Sequence, residues 1–227
     1  MSIAPPLHWQ PAQAPEPLTL TGRLVRLEPL DRGQHGADLW QALQGPESDP
    51  KLWDYLPYGP FGERGDFDAW LDGLATTPRF YAVVEQANGR TLGLLSYLNI
   101  VPAHGSIEIG HICYGRAMQR TAGATEVIYL LARHAFELGY RRLEWKCNNL
   151  NARSKRAAER FGFSYEGLFR QHQVIKGRNR DTAWYALLDQ EWPACREVFE
   201  RWLAADNFDA QGRQRQSLGA LRQAQGS

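Results

Sequence analysis

The chain has 227 residues, 43% hydrophobic and 22% charged, a balance that allows a buried core and excludes a disordered or fibrous chain. A formal net charge of +1 provides no field to recruit nucleic acid or an anionic membrane, so neither is an expected partner. Three widely spaced cysteines (Cys113, Cys147, Cys195) argue against a disulfide framework, and with no signal-like opening and no membrane-length apolar run the expected location is cytoplasmic.

In chain order, residues 1–18 are rich in Pro and Ala and are expected to run extended over the surface. Residues 22–30, "GRLVRLEPL", alternate as a first strand. A helix follows around "GADLWQALQG", stopped by Gly45. The stretch "LWDYLPYGPFG" is too irregular for a regular element, and Asp66 is placed to cap a second helix through "FDAWLDGLA". "RFYAVVEQ" and "TLGLLSYLNIV" flank Asn88-Gly89 as a hairpin, and "SIEIGHICYG" adds a third strand. His111 and Cys113 would share one side of that strand, but no second pair follows at zinc-like spacing. No metal is expected, and Cys113 reads as core.

A helix from about Thr125 to Leu138 carries the stripe Val127, Ile128, Leu131, Ala135 and Leu138, and "RRLEWKC" is the next strand. Strand, turn, helix and strand in that order make a parallel crossover. Asn151 caps the short helix "ARSKRAAERFG". Two strands, "FSYEGLFRQHQVIK" and "DTAWYALLD", turn at residues 177–179, and a last helix spans about 191–204. The expected organisation is one α/β domain over residues 19–205 with a mixed, mostly antiparallel sheet and helices on both faces. Residues 206–227 are expected to be a flexible tail.

The turn "MQRTAGATE" opens the long helix. The first amides of a helix have no intrahelical acceptor, and with the helix dipole they form a site for anionic oxygens. Ala122, Gly123 and Ala124 let an anion come close to the backbone, Arg120 adds charge and Thr125 a hydroxyl. Taken alone, the turn fits either a phosphate cradle or an ordinary tight βα turn. It is neither Walker A nor G-x-G-x-x-G.

The order strand, turn, helix, strand, N-x-x-S helix, "GF" and strands resembles the GNAT superfamily of acyl-CoA-dependent N-acyltransferases. Residues 123–171, "GATEVIYLLARHAFELGYRRLEWKCNNLNARSKRAAERFGFSYEGLFRQ", resemble its RimJ/RimL branch, and "KGRNRDTAWYALLDQEWP" is similar to an uncharacterised subgroup. The resemblance implies that Gln119, Arg120, Thr121, Ala122, Gly123 and Ala124 cradle the pyrophosphate of coenzyme A, with Ala122 where the usual glycine stands. It implies that "EIGHICYG" and "RRLEWKC" splay to admit the pantetheine arm against backbone atoms of Ile112, Cys113 and Tyr114. It makes Glu108 the expected base, with His111 a rival of opposite parity that faces the other side unless a bulge intervenes. It brings Asn151 to the pantetheine arm and Ser154 to the departing sulfur as a general acid. It offers the basic cluster Arg153, Lys155 and Arg156 as charge for the adenosine 3′-phosphate, with a solvated helix face the reading for at least two of the three. It sets the acceptor wall at Trp53, Tyr55, Tyr58 and Phe61, which as aromatics fit a modest, partly apolar amine or serve as core under a loop. Trp145 reads as plain core. The implied activity is acetyl transfer from acetyl-CoA to a primary amine of a protein N-terminus or small molecule. The alternative is a silent acyl-CoA-binding sensor, and an unrelated nucleotide-binding α/β protein ranks last. A homodimer through the final strands fits the fold.

Overall fold

The computed structural model describes residue 7, residues 9–74 and residues 79–225. Residues 1–6 and His8 of the expected extended segment, and Ala75, the expected end of the second helix, lie outside the described residues. Among the described residues eight strands form one sheet in the order β1-β2-β3-β4-β5-β6-β8-β7: β1 (Leu20–Thr21), β2 (Val25–Pro29), β3 (Arg79–Glu85), β4 (Thr91–Val101), β5 (Ser106–Tyr114), β6 (Arg142–Asn148), β7 (Ser164–Ile175) and β8 (Arg178–Leu188). β5 and β6 pair in parallel and the other neighbours are antiparallel. The helices are α1 (Arg32–Gln44), α2 (Arg64–Gly73), α3 (Ala122–Glu137), α4 (Ala152–Arg160), α5 (Trp192–Leu203) and α6 (Leu218–Gln225).

Each face of the sheet has its own core. Ile107, Ile109, Leu143, Trp145, Ala183 and Tyr185 pack with Val127, Ile128 and Leu131 of α3, and with Val198 and Phe199 of α5. On the opposite face Leu94 and Cys113 join Leu39 and Leu43 of α1, Phe67 and Leu71 of α2, and Trp53. Burying side chains of this size stabilises by roughly 1.5–3 kcal/mol each, so the two-sided sheet specifies its own register.

Several boundaries differ from those read in the sequence for local reasons. The first strand, expected from Gly22, begins only at Val25 as β2, because residues 22–24 form a turn bound by Glu126 of α3, and a short β1 precedes that turn. α2 starts at Arg64 with Glu63 before it, and Asp66 lies in the first turn and not at the cap. α3 starts at Ala122, since the Thr121 hydroxyl accepts the Ala124 amide at 3.2 Å and caps the helix there. The last hairpin turns at Lys176-Gly177, one residue early, with Ile175 opposite Arg178. Beyond Asp206, the chain expected to fray packs instead: Asn207 is bonded to Trp202 and Gln216, and Leu218 and Leu221 of α6 are buried in the main core. The apolar side of α6 supplies what the Gln-rich composition hides.

Candidate active site

The parallel pairing of β5 and β6 runs only from Ser106/Arg142 to Ile109/Trp145. Beyond that the strands part, and the gap opens into a continuous cleft of about 1830 Å³. This is larger than the roughly 300–1,000 Å³ of an ordinary small-molecule pocket. The cleft reaches from the Gln119–Thr125 turn through the gap to the loop around Tyr55.

At one end Arg120 has a φ of 64°, a left-handed conformation that costs a non-glycine residue on the order of 1–2 kcal/mol. Such a residue just before a helix makes consecutive amides converge, as in anion-binding nests. Ala122, Gly123 and Ala124 form the first turn of α3, where by helix geometry the amides of Ala122 and Gly123 have no intrahelical acceptor. Ala122 lines the cleft without a positive φ, so its methyl is tolerated where a glycine was expected. The Gln119 side chain turns back to donate to the Tyr114 carbonyl at 2.9 Å, which holds the turn on the strand end. Thr125 is buried and accepts from Arg160 at 3.0 Å, so its hydroxyl orients a cation on α4.

In the gap, Asn151 accepts the Ser154 amide at 3.1 Å and caps α4. Ser154 Oγ accepts from the Trp145 indole at 2.9 Å and also bonds the Cys147 sulfur. Trp145 is core, as read, and also positions that hydroxyl. Of the basic trio, Arg153 pairs with Asp49 at 3.4 Å, Lys155 donates to Asn149 and Arg156 lines the cleft. Ile112 and Tyr114 line the splayed edge, whereas the Cys113 side chain is fully buried in the α1–α2 core, and burial pushes its thiol pKa up.

Glu108 is buried at 4% exposure. Its Oε2 accepts from Asn99 at 2.6 Å and from Lys146 at 2.9 Å, and no partner is recorded for Oε1 among the described residues. Lys146 also holds Glu144 at 2.8 Å and sits 3.8 Å from the Trp184 ring centre. Burial raises the Glu108 pKa against the pull of Lys146 and Asn99. Glu144 shifts down although burial is its largest influence, because Arg142 joins Lys146 in favouring its charge.

Two bulges bracket Glu108. On β4, Leu98 faces Glu108 and Val101 faces Ser106, one extra residue, with Asn99 at φ 45°. On β5, Ser96 faces Gly110 and Leu94 faces Cys113, again one extra residue, with His111 at φ 52°. The second bulge cancels the parity that would have separated His111 from Glu108, so both line the cleft. His111 Nδ1 lies 2.8 Å from the Tyr58 hydroxyl, and burial followed by the charge of Arg180 lowers its pKa.

The aromatic loop splits in two. Tyr55 lines the cleft and donates to the Leu150 carbonyl at 3.2 Å. Trp53 and Phe61 lie behind it in the smaller core, edge-on to each other, and Tyr58 reaches the cleft only through His111. The cleft also draws on Asn99, Lys146, His172 and Arg180, none of which the sequence reading singled out. Arg142, Glu144 and Lys146 alternate along "RRLEWKC", a polar face that hinted at Lys146. Arg180 follows a hairpin turn whose register the sequence leaves open.

Comparison with known proteins identifies the family and the fold. Residues 25–164 match the Acetyltransferase (GNAT) domain family. The chain is 28% identical to the uncharacterised N-acetyltransferase p20 of Bacillus licheniformis, over 64% of this chain and 84% of that protein. It is 44% identical, with a TM-score of 0.91, to the crystal structure of a GCN5-related N-acetyltransferase from Brucella melitensis, covering 95% of this chain and 99% of that one. A Salmonella typhimurium acetyl transferase that modifies the N-terminal serine of ribosomal protein L7/L12 shares the fold at 20% identity and a TM-score of 0.62, over 75% and 99%.

Proposed function

The chain belongs to the GNAT acetyltransferase family, and from that premise we propose that it moves an acetyl group from acetyl-CoA to a primary amine by direct attack in a ternary complex. The observation that carries the reading is the parting of β5 from β6 beyond Ile109, beside a carboxylate whose Oε1 has no partner among the described residues. Gln119 to Ala124 would hold the diphosphate, with Arg160, oriented by Thr125, nearby. Backbone groups of Ile112 and Cys113 would pair with the pantetheine arm. The Tyr114 carbonyl is already engaged by Gln119.

Glu108 Oε1 would take a proton from the ammonium of the acceptor, directly or through water. The freed nitrogen would attack the thioester carbonyl carbon and give its second proton to water as the carbon–sulfur bond breaks, and the departing thiolate would take the Ser154 proton, which solvent restores as it also clears the proton from Glu108. Holding both reactants in one cleft supplies roughly 7 kcal/mol or more of the barrier reduction. His111, held by Tyr58, shapes the acceptor side.

Acetyl-CoA at a hundredfold excess over its dissociation constant is expected to stabilise the fold by about 2.7 kcal/mol in thermal unfolding, with ATP giving no shift. Equal shifts with ATP, or none with acetyl-CoA, would remove the acyl-CoA reading. A second copy of the chain would dock along β7, an edge strand with exposed Tyr165, Phe169 and Val174. Light scattering of the Val174→Lys variant should then report a smaller mass than the wild type. A monomeric wild type would discard the dimer.

A further inference from the structure

We propose that the acceptor amine carries a carboxylate, and that Arg180 on β8 receives it. The inference rests on the acetyl-transfer reading and names the substrate class of the same site.

Arg180, Thr182 and Trp184 alternate along one side of β8, and Ala183 and Tyr185 on the other side belong to the core under α3 and α5. Lys146 lies opposite Trp184, and Glu108 opposite Glu144, two residues further along the same face. Arg180 therefore lies on the Glu108 face, away from the helix whose first turn forms the anion cradle. The bond from Arg180 Nε to Thr182 Oγ1, at 3.1 Å, fixes its stem there. A bulge in β7 with Gln171 at φ 51° brings His172 Nδ1 to the same hydroxyl at 2.9 Å, so the floor beneath the guanidinium is built from two strands.

The charges around it do not balance locally. Lys146 is matched by two carboxylates within 2.9 Å. Asp49 at the rim is taken by Arg153, and Asp181 accepts from the Gln171 amide and from Asn179. Arg180 has no carboxylate within ion-pair distance among the described residues, and of its five N–H donors only Nε has a recorded acceptor there. Its guanidinium is partly buried and lines the cleft beside His111 and Gln173. Burial lowers its pKa, with Cys147 and Glu108 only partly offsetting this. A half-buried guanidinium with its terminal nitrogens unmatched is a fork for a bidentate carboxylate. An acceptor spanning Arg180 and Glu108 would present its carboxylate to the first and its amine to the second. A free amino acid carries both groups, and so does a peptide N-terminus followed by an acidic side chain.

Matched pairs that differ only in the carboxylate test this. Phenylalanine against phenylalaninamide probes the free amino acid. Ala-Asp-amide against Ala-Asn-amide probes the peptide. With wild-type enzyme and acetyl-CoA, kcat/KM for the acidic member of at least one pair should exceed that of its neutral partner by about 10- to 100-fold. Arg180→Gln should bring the ratio near one, and Arg180→Lys, which keeps the charge but not the fork, should give an intermediate ratio. Which pair discriminates identifies the source. A wild-type ratio near one in both pairs, or a ratio that survives Arg180→Gln, overturns the inference while acetyl transfer stands. Acetylation of neutral amines with neither acid accepted also overturns it alone. Absence of acetyl-CoA-dependent turnover with every amine, together with no thermal shift by acetyl-CoA, takes down the acetyl-transfer reading and this inference with it.

Discussion

The Glu108→Gln variant should lose about 10²- to 10⁴-fold in kcat while its acetyl-CoA affinity is preserved. The substitution keeps the shape and leaves the diphosphate turn and the β5 backbone untouched, so the loss falls on proton removal. The wild-type pH profile supplies a second readout. Burial raises the Glu108 pKa, and only the ionised form accepts a proton. Activity should therefore rise with pH along a limb above the range of a solvated glutamate, and that limb should vanish in the glutamine variant. Lys146 and Asn99 keep the limb from moving further, since both favour the charged form. A glutamine variant retaining more than about a tenth of the activity with the limb intact would move the base role to His111 or to water.

The second large effect is on stability. Glu126 is buried at the start of α3 and accepts three backbone amides from the turn between β1 and β2: Arg23 at 2.9 Å, Leu24 at 2.7 Å and Val25 at 2.9 Å. Gly22 packs so tightly on the carboxylate that a Cβ there would lie 2.5 Å from it. A buried donor left unmatched costs about 1–3 kcal/mol. Glu126→Ala is therefore expected to destabilise by about 3 kcal/mol or more in urea unfolding, discounting the two part-buried amides. Glu126→Gln, which keeps one acceptor oxygen, should fall between. A loss under about 1 kcal/mol for the alanine variant would show that water replaces the carboxylate. The same contact seats the first turn of α3, so acetyl-CoA should bind the alanine variant more weakly.

The strand and helix order was legible because each core element advertises its period. β4 lies where the Asn88-Gly89 turn put it, the α3 stripe where helical spacing put it, and Asn151 caps α4 as its type demands. The turn and the N-x-x-S pair could be placed because small residues and caps act locally. What stayed hidden is non-local. Whether Trp53 and Phe61 face the cleft or the α1–α2 core depends on packing between distant segments. Lys146 meets Glu108 only through the parallel register, and the C-terminal helix carries its information in just Leu218 and Leu221. The bulges at Asn99 and His111 were invisible for another reason. Neither is a glycine, and although Asn and His enter the left-handed region more often than most residues, their presence in a strand is too common to mark a bulge.

The extra residue in β5 has a consequence for how its length can vary. Up to Ile109, odd-numbered side chains enter the α3 core. After the bulge the assignment is exchanged, with Ile112 on the α3 side and Cys113 in the α1–α2 core. One nine-residue strand thus gives the same side twice, first to Glu108 and then to His111. Deleting a single residue there would not simply shorten the strand. It would restore even alternation and leave Cys113 on its own side, but the left-handed corner that aims His111 at Tyr58 would go with the extra residue, and the acceptor wall would lose its shape. Insertions and deletions should therefore accumulate at the hairpin tips, around Gly89 and Gly177, and be purged from this strand.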